Sequence, residues 1–353
     1  MWEELVSIEN LFNAYKKASK GRRSRPDVAI YEFDLERNLF SLQEELISDT
    51  YRHGKYVSFS IHDPKSRLIS AANFKDRIVH HALVAVLEPE YEKIFLPNSY
   101  ANRIGKGTHK ALKTCAANMK RYPYYLFMDV AQFFPSIDHQ ILMDILDYVL
   151  GDEKTRLLCQ SILNSGEMVL HDEYDMRWFP GDDLFAVNRP RGLPIGNMTS
   201  QFWANVYLNP LDHLLEENRN DLEWLRYVDD IVVFSNSKGE LHNIREKTID
   251  FLSGLRLTIH EGSAQPTPVS QGLTFLGFRL FPEHVRLKRK KLINGYRKLT
   301  KARMQFTNER KMQENYTNQL RGWLNHLRQG NTYRLRSNVL QRLGISAEHW
   351  ESL

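Results

Sequence analysis

LRYVDDIVVF, residues 225–234, places two adjacent aspartates, Asp229 and Asp230, between two apolar runs. Two short apolar runs separated by a polar pair predict two strands joined by a tight turn, here from Trp224 to Phe234. Aspartates at the tip of such a hairpin are either ordinary turn residues or groups with a chemical role. The hairpin by itself leaves both interpretations open.

A third aspartate interrupts another apolar stretch, one hundred residues earlier. YYLFMDVAQFF, residues 124–134, predicts a buried strand that carries a single carboxylate, Asp129. A buried carboxylate is unfavourable unless it is paired or bound to a metal. Three carboxylates at one sheet edge would repel one another, and hard oxygen ligands favour Mg²⁺. We therefore expect Asp129, Asp229 and Asp230 to hold two Mg²⁺ ions, with Mn²⁺ as a substitute, for a phosphoryl displacement.

The composition describes a folded chain of about two domains. Of its 353 residues, 42% are hydrophobic and 26% are charged, which excludes disorder and fibrous folds. Two cysteines, Cys115 and Cys159, exclude a disulfide framework and favour a reducing compartment. The sequence contains no apolar run of 18 residues and no basic signal-peptide start. We expect a cytoplasmic protein that makes no use of a membrane.

Positive charge is concentrated near the C-terminus, although the net charge is only +5. Residues 281–353 contain 16 Lys or Arg against five acidic residues, and the other 280 residues contain 32 against 38. A smaller basic patch, KKASKGRRSR, covers residues 16–25. A polyanion partner such as nucleic acid is one explanation. Two solvated basic faces are the alternative.

Helices and strands are mixed in the centre of the chain, and every pattern beyond Pro282 is helical. This predicts an α+β body followed by a basic helical appendage. Residues 165–192 are polar and rich in turn formers, so we expect a loop or a short hairpin there.

The motifs, in order, resemble those of reverse transcriptases, and this resemblance implies a right-hand polymerase fold. Residues 1–125 would form the fingers with an N-terminal helical extension, 126–280 a palm with an antiparallel sheet and a 165–192 insertion, and 281–353 the helical thumb. Asp129, Asp229 and Asp230 match the palm aspartates of that family, and Val130 would join Asp129 in the metal site. The resemblance implies dNTPs, a template RNA and an RNA–DNA hybrid as partners.

The same resemblance assigns the remaining motifs. Residues that match nucleotide-binding positions are Lys65 and Arg67, which would neutralise the triphosphate; Phe134, which would exclude a 2′-hydroxyl; and Ile195, Gly196 and Gln201 of the motif that follows the insertion. Residues that match nucleic-acid-binding positions are Arg103 and Lys106 along the template, Phe275, Leu276 and Gly277 in the primer grip, and Lys288, Arg289, Lys290 and Lys291 at the start of the thumb.

The motif GLPIGNMTSQ, residues 192–201, indicates the subtype. Most relatives carry Gln where Ile195 stands and Pro where Gln201 stands. The pair resembles reverse transcriptases of diversity-generating retroelements, which copy a template-repeat RNA with errors at adenines and work with a small oligomeric accessory protein. An aliphatic residue that replaces a hydrogen-bonding one loosens discrimination. The alternative for Ile195 is simple packing against the palm.

Three other assignments remain open. A solitary antiphage-defence enzyme and a group II intron-like enzyme are alternatives within the family. A nucleic-acid-binding scaffold that has lost its chemistry is the alternative from another class, although the intact aspartates argue against it.

Overall fold

A computed structural model describes residues 1–62, 66–304 and 310–343, with side chains for all of these except 310–315. The α-helices of this part are α1 (Trp2–Leu5), α2 (Ile8–Ser19), α3 (Pro26–Phe33), α4 (Leu35–Ile47), α5 (Phe74–Glu92), α6 (Thr108–Arg121), α7 (Phe133–Ser136), α8 (His139–Asp147), α9 (Glu153–Gly166), α10 (Met198–Glu217), α11 (Lys238–Gly254), α12 (Arg289–Met304), α13 (Arg310–Leu327) and α14 (Tyr333–Arg342). Its strands are β1 (Val57–His62), β2 (Ser66–Ala71), β3 (Tyr124–Asp129), β4 (Leu222–Tyr227), β5 (Asp230–Ser235), β6 (Thr267–Pro268), β7 (Leu273–Phe275), β8 (Phe278–Leu280) and β9 (Val285–Leu287).

The chain forms two compact units, each built from three stretches of sequence. Unit 1 contains Met1–Asn102, Asp129–Glu217 and Glu246–Glu261. Unit 2 contains Arg103–Met128, Asn218–Arg245 and Gly262–Leu353.

The core of unit 1 is helical. Helix α5 packs against α2 and α10, and α8 packs against α10. Helix α5 begins where the Asn73 side chain accepts a hydrogen bond from the Asp76 amide at 3.0 Å, which caps the helix. Strands β1 and β2 of the same unit form an antiparallel hairpin in which Phe59 pairs with Ile69.

Unit 2 contains two sheets. The larger sheet has the strand order β4-β5-β3-β6, and β4 and β5 form an antiparallel hairpin in which Tyr227 pairs with Asp230. Helix α6 packs against this hairpin. The smaller sheet has the order β7-β8-β9, and both of its pairings are antiparallel.

The C-terminal helices α12, α13 and α14 share a core of their own. Its buried members are Leu299, Leu320, Leu324, Val339, Leu340 and Leu343. Tyr296 and Trp323 pack against them, and Gly295 lies so close to the Trp323 indole that a Cβ there would overlap it. The basic residues of α12 can therefore remain exposed while an apolar face holds the helix in place.

The predicted strands around the three aspartates are confirmed, as is the helical character of most of the chain after Pro282. The expectation that every element after Pro282 is helical is wrong, because Val285–Leu287 forms β9 beside β8. The segment 165–192, expected to be a loop or a short hairpin, begins with the last two residues of α9 and then contains two short 3₁₀ turns, at His171–Glu173 and Leu184–Asn188, but no strand. No described helix is both long and apolar enough to cross a membrane.

Candidate active site

The turn between β4 and β5 is held by a buried arginine. Val228 and Asp229 connect the strands, and Val228 has a φ of 57°, an unfavourable conformation for a β-branched residue. The Arg226 side chain, 0% exposed, donates a hydrogen bond from Nη1 to the Val228 carbonyl at 2.9 Å. The Tyr227 hydroxyl lies 2.8 Å from the Thr108 hydroxyl at the start of α6. The aspartates of this turn therefore lie on a strained and well-supported backbone.

Asp129 is the last residue of β3, whose neighbours in the unit 2 sheet are β5 and β6. In unit 1 the next residues of the chain pair with residues 258–260 through antiparallel backbone hydrogen bonds. The Asp129 carbonyl accepts from the His260 amide at 3.0 Å, and the Ala131 amide donates to the Thr258 carbonyl at 2.8 Å. Successive carbonyls of an extended chain point to opposite sides. The Val130 carbonyl therefore points away from residues 258–260.

The donor set fits Mg²⁺ chemically. Asp129, Asp229 and Asp230 carry carboxylate oxygens and Val130 carries a backbone carbonyl oxygen, all of them hard ligands of the kind that Mg²⁺ prefers. In the described part of the chain, no cluster of three or more His, Cys, Asp or Glu side chains forms a metal site as placed. The metal assignment therefore rests on donor chemistry and stays a prediction.

Unit 1 brings together several of the predicted nucleotide-binding residues. The Leu193 amide donates to the Phe134 carbonyl at 2.9 Å, and the Ser70 amide of β2 donates to the Ile195 carbonyl at 2.8 Å. The Asn197 amide group donates to the Ser70 carbonyl at 2.8 Å and accepts from the Ala72 amide at 3.1 Å. Residues 193–197 are thus fixed between α7, which contains Phe134, and β2.

Gly196 also lies against β2. Its φ is 115°, and a Cβ at this position would lie 3.0 Å from Cγ2 of Ile69. Arg67 is two residues before Ile69 in β2, so both side chains lie on one face of the strand, and Arg67 is exposed. Gln201 is exposed in the first turn of α10. Lys65 lies outside the described residues.

A series of buried polar contacts connects α5 to the first turn of α10. Asp76 accepts from the Tyr51 hydroxyl at 2.7 Å, and the His53 imidazole lies 3.6 Å from the Asp76 carboxylate. His53 and His80 face each other at 3.1 Å through their Nε2 atoms, and Nδ1 of His80 is 3.4 Å from the Thr199 hydroxyl. Burial and the adjacent His53 hold the pKa of His80 well below its ordinary value. His80 connects α5 to α10 through its contact with Thr199.

Unit 2 brings together the predicted primer-grip and thumb residues. Leu276 and Gly277 form a two-residue turn between β7 and β8, with φ values of 48° and 89°, as a type I′ turn requires. The Lys291 ammonium lies 3.5 Å from the Leu276 carbonyl, and the Lys288 amide donates to the Gly277 carbonyl at 3.1 Å. Phe275, which precedes the turn, is buried.

The other predicted nucleic-acid-binding residues are placed separately. Arg289 and Lys290 are exposed in the first turn of α12. The Lys106 amide donates to the Arg103 carbonyl at 3.2 Å, in the turn before α6.

The segment 165–192, predicted to be a loop or a short hairpin, contacts a functional candidate that the sequence did not reveal, Gln132. Gln132, between Asp129 and Phe134, has a φ of 45°. Its amide nitrogen donates to the Glu173 carbonyl at 3.0 Å and to the Asp175 carboxylate at 3.1 Å, and its oxygen accepts from the Asp175 amide at 3.1 Å. The only sequence signal is that Gln132 stands inside the Asp129 motif.

Two aspartates and two arginines anchor the same segment. Asp138, 0% exposed, lies 3.0 Å from Arg189 and 2.8 Å from Arg256, and Asp182 lies 3.2 Å from each of these arginines. Burial raises the pKa of Asp182, but the Phe179 amide and the two arginines outweigh it, so the pKa lies below its ordinary value. Arg256, with a φ of 53°, lies two residues before Thr258, the first of the residues that pair with Asp129–Ala131.

Comparisons with curated proteins find relatives among intron-encoded proteins. The chain is 24% identical to Protein YkfC of Escherichia coli (strain K12) over 285 residues, which covers 69% of this chain and 71% of YkfC. It is 23% identical to the group II intron-encoded protein LtrA of Lactococcus lactis subsp. cremoris over 210 residues, 59% of this chain and 32% of LtrA. It is 32% identical to nuclear intron maturase 1, mitochondrial, of Arabidopsis thaliana over 90 residues, 26% of this chain and 13% of the maturase.

Among solved structures, the chain is similar to apo telomerase from Candida tropicalis, with a TM-score of 0.48 and 12% identity over 67% of this chain and 49% of the telomerase chain. It is also similar to a chain of a partial Cas6-RT-Cas1–Cas2 complex, with a TM-score of 0.40 and 18% identity over 71% of this chain and 41% of that one.

The family described as reverse transcriptase (RNA-dependent DNA polymerase) matches residues 61–280, which is more than half of the chain. The match begins near the end of β1 and spans β2, the strands that carry the three aspartates and the turn at Leu276–Gly277. The predicted α+β right-hand polymerase fold is thereby confirmed. This protein belongs to the reverse transcriptase family.

Proposed function

We propose that this protein is an RNA-directed DNA polymerase that uses Asp129, Asp229 and Asp230 as its catalytic carboxylates. The observation that supports this most directly is the β4–β5 turn. There a buried Arg226 stabilises the strained Val228 backbone beside Asp229. Strain retained at one turn of an otherwise regular hairpin is typical of functional sites. Positioning and charge stabilisation are the main contributions of protein to this kind of chemistry.

Two Mg²⁺ ions, or Mn²⁺ in their place, would supply charge neutralisation at the reacting phosphate when held by the three aspartates and the Val130 carbonyl. The chain's own residues would orient the substrates. Arg67, together with Lys65, would bind the triphosphate of a dNTP, and Ile195, Gly196 and Gln201 would contact its sugar and base. The Leu193 amide joins residues 193–197 to the Phe134 carbonyl, which supports a role for Phe134 in selecting the deoxyribose.

Nucleic-acid contacts are proposed for the remaining predicted residues. Arg103 and Lys106 would follow the template RNA. The Leu276–Gly277 turn would bind the primer end. The Lys291 ammonium and the Lys288 amide contact its two carbonyls and so fix the conformation of the turn. Exposed lysines and arginines of α12 would contact phosphates of the RNA–DNA hybrid.

Primer extension on an RNA template tests the proposal. Asp229→Asn should reduce extension in Mg²⁺ at least about a thousandfold, because one metal-binding charge is lost at the reacting phosphate. Asp49→Asn makes the same chemical change at an exposed position and should extend as the wild type does. Binding of the RNA–DNA hybrid should be equal in all three proteins. Extension by Asp229→Asn at the wild-type rate would refute the assignment. Wild-type protein that binds hybrid without extending it would favour a non-catalytic scaffold.

For the subtype we propose a diversity-generating retroelement enzyme that copies a template-repeat RNA with errors at adenines. Ile195 supports this proposal. Its backbone is fixed to β2, and its aliphatic side chain cannot form a hydrogen bond with the incoming nucleotide. Ile195→Gln should lower the error rate opposite template adenine, measured by sequencing the cDNA. An unchanged adenine error rate would contradict the proposal.

A group II intron-like reverse transcriptase is the second candidate, favoured by the similarity to LtrA and to the intron maturase. A solitary antiphage-defence enzyme is a further alternative. A near-identical repeat pair that differs at adenines in the neighbouring DNA would favour the retroelement, and its absence would favour the other two. For the retroelement we also propose a small oligomeric accessory protein and a cytoplasmic location. The exposed basic residues of 16–25 offer a docking surface for that protein or for the RNA.

A further inference from the structure

Two histidines from different helices of unit 2 lie side by side. His109 is in the first turn of α6, and His326 is in the last turn of α13. The centroids of their rings are 6.1 Å apart. His109 is exposed and His326 is half-buried, so a ligand in solvent has access to the pair.

His109 adjoins the turn that carries Asp229. The residue before it, Thr108, has its hydroxyl 2.8 Å from the hydroxyl of Tyr227. Tyr227 is the last residue of β4, directly before that turn. His109 is therefore the next residue along α6 from a contact with the strand that leads to a proposed catalytic carboxylate.

His326 adjoins the Leu276–Gly277 turn. The centroid of its ring lies 4.9 Å from the centroid of the Phe278 ring, and Phe278 is the first residue after the turn. Lys291 of α12 packs against the same turn, where a Cβ on Gly277 would overlap its side chain. A DNA strand held by this turn with its 3′ end at Asp229 would therefore pass both histidines.

The helix surfaces around the histidine pair are basic. Helix α6 contains four Lys or Arg, α12 contains seven, and neither contains an acidic residue. The described side chains of α13 add one arginine and no acidic residue. Lys113 faces the pair from the same side of α6, four residues after His109, and Lys291 faces His326 from α12. Strand β8 contributes the uncharged ring of Phe278.

These charges act on the protonation of His326. Burial, and then the positive charges of Lys291 and His109, lower the pKa of His326 below its ordinary value. A bound anion would have the opposite effect, because it stabilises the protonated imidazole and so raises this pKa. Anion binding would then take up a proton, and the affinity for the anion would rise as the pH falls.

We propose that His109, His326 and Lys291 bind a phosphate of the primer strand, with both histidines protonated in the complex. This inference rests on the proposed function, which places a primer at the Leu276–Gly277 turn. The two rings are near enough to contact one phosphate group. Imidazolium and ammonium N–H groups form charge-assisted hydrogen bonds with phosphate oxygens. A phosphodiester keeps its charge wherever histidine titrates, so only the protons of the protein change with pH.

Fluorescence anisotropy of a labelled RNA–DNA hybrid, measured without divalent cations, tests the site. Wild-type affinity should rise about tenfold from about pH 8 to about pH 6, because a histidine whose pKa rises by about one unit on binding contributes a factor of about ten. The variant His109→Gln/His326→Gln should lose this rise. His242→Gln makes the same change at an exposed histidine of α11 and should keep it. A wild-type affinity that does not change with pH, or a rise that persists in the double variant, would overturn the proposal.

The backbone of the hybrid identifies the strand and leaves the protein unchanged, so this measurement decides even if the double variant does not fold. Uncharged methylphosphonate linkages near the primer 3′ end should abolish the rise in affinity at low pH. The same linkages in the template strand should preserve it. The reverse result would assign the site to the template and overturn the proposal.

A permanent charge separates binding from a structural role. His109→Lys remains positive at high pH, so it should bind the hybrid more tightly than the wild type at about pH 8 and show a smaller rise toward about pH 6. Weaker binding at both pH values would indicate a structural role and overturn the proposal. Wild-type protein that binds no hybrid at any pH would contradict the proposed polymerase function as well, whereas hybrid binding that is independent of pH would contradict this site alone.

Discussion

Gln132 offers a sharp test of how the 167–192 segment supports the Asp129 motif. Its left-handed backbone, φ 45°, costs about 1–2 kcal/mol for a residue with a side chain. Three hydrogen bonds to Glu173 and Asp175, at 3.0–3.1 Å, offset that cost. They are exposed to solvent, so we assign them together only about 2 kcal/mol, at the low end for one charged and two neutral bonds.

We expect Gln132→Glu to lower kcat/KM for dNTP addition about thirtyfold, which corresponds to about 2 kcal/mol. The variant loses both donated bonds and sets a carboxylate against Asp175. Without these bonds the backbone between Asp129 and Phe134 can leave the left-handed conformation. Discrimination between dNTPs and rNTPs should fall as well, because Phe134 follows Gln132 by two residues.

Rescue distinguishes positioning from general damage to the fold. In the double variant Gln132→Glu/Asp175→Asn, the new amide can donate to the new carboxylate, so most of the lost kcat/KM should return. Gln132→Gly accepts the left-handed backbone without any of the bonds and separates the strain from the hydrogen bonds. Steady-state primer extension with both nucleotide classes gives the measurement. A double variant as slow as Gln132→Glu, or a fully active Gln132→Glu, would refute the reasoning.

Three further predictions concern single positions. Gly196→Ala should lower kcat/KM for dNTPs more than tenfold, because the new Cβ lies 3.0 Å from Ile69 at a φ of 115°; Gly181→Ala, with a φ of 88° and open space around it, controls for backbone strain. Because the pKa of Asp182 is depressed in the folded protein, this carboxylate stabilises the fold above about pH 4, and the stabilisation is lost as the pH falls through the pKa of the folded state. The urea midpoint of the wild type should therefore fall more steeply below about pH 4 than the urea midpoint of Asp182→Asn. Gly277→Ala should weaken hybrid binding in a filter assay, because a Cβ there overlaps the Lys291 side chain; unchanged affinity would separate this turn from the primer.

The elements that carry the aspartates were predictable because their signal is local. A buried-type strand interrupted by Asp129, and a hairpin with a polar pair at its tip, can each be recognised within about ten residues. Helix α6 is harder to recognise from the sequence. The buried face of α6 includes Ala111 and Cys115, small residues that give a weak periodic signal. Strand β9 is three residues long and is defined by its pairing with β8, a tertiary property.

The support of the site could not be predicted, because its partners are distant in sequence. Asp138 and Arg256 are 118 positions apart, and no pattern along the chain joins them. The residues that flank Asp182 in the sequence are those of an ordinary turn, and only the fold shows that its carboxylate lies between two arginines. Gln132 was hidden for another reason, since its function depends on a left-handed backbone that glutamine rarely adopts.

The carboxylates that we propose as catalytic lie on backbone that charged side chains support. Arg226 is fully buried under the Val228 turn, and Asp138 is fully buried behind the segment that reaches Gln132. An apolar core of equal volume would be at least as stable as buried ion pairs, so stability alone does not explain these residues. A hydrogen bond donated by a guanidinium to a carbonyl or a carboxylate fixes an angle as well as a distance, which apolar packing does not. A site whose chemistry requires metal ligands to be positioned within about 0.5 Å benefits more from this fixed orientation than from the stability that an apolar core would add.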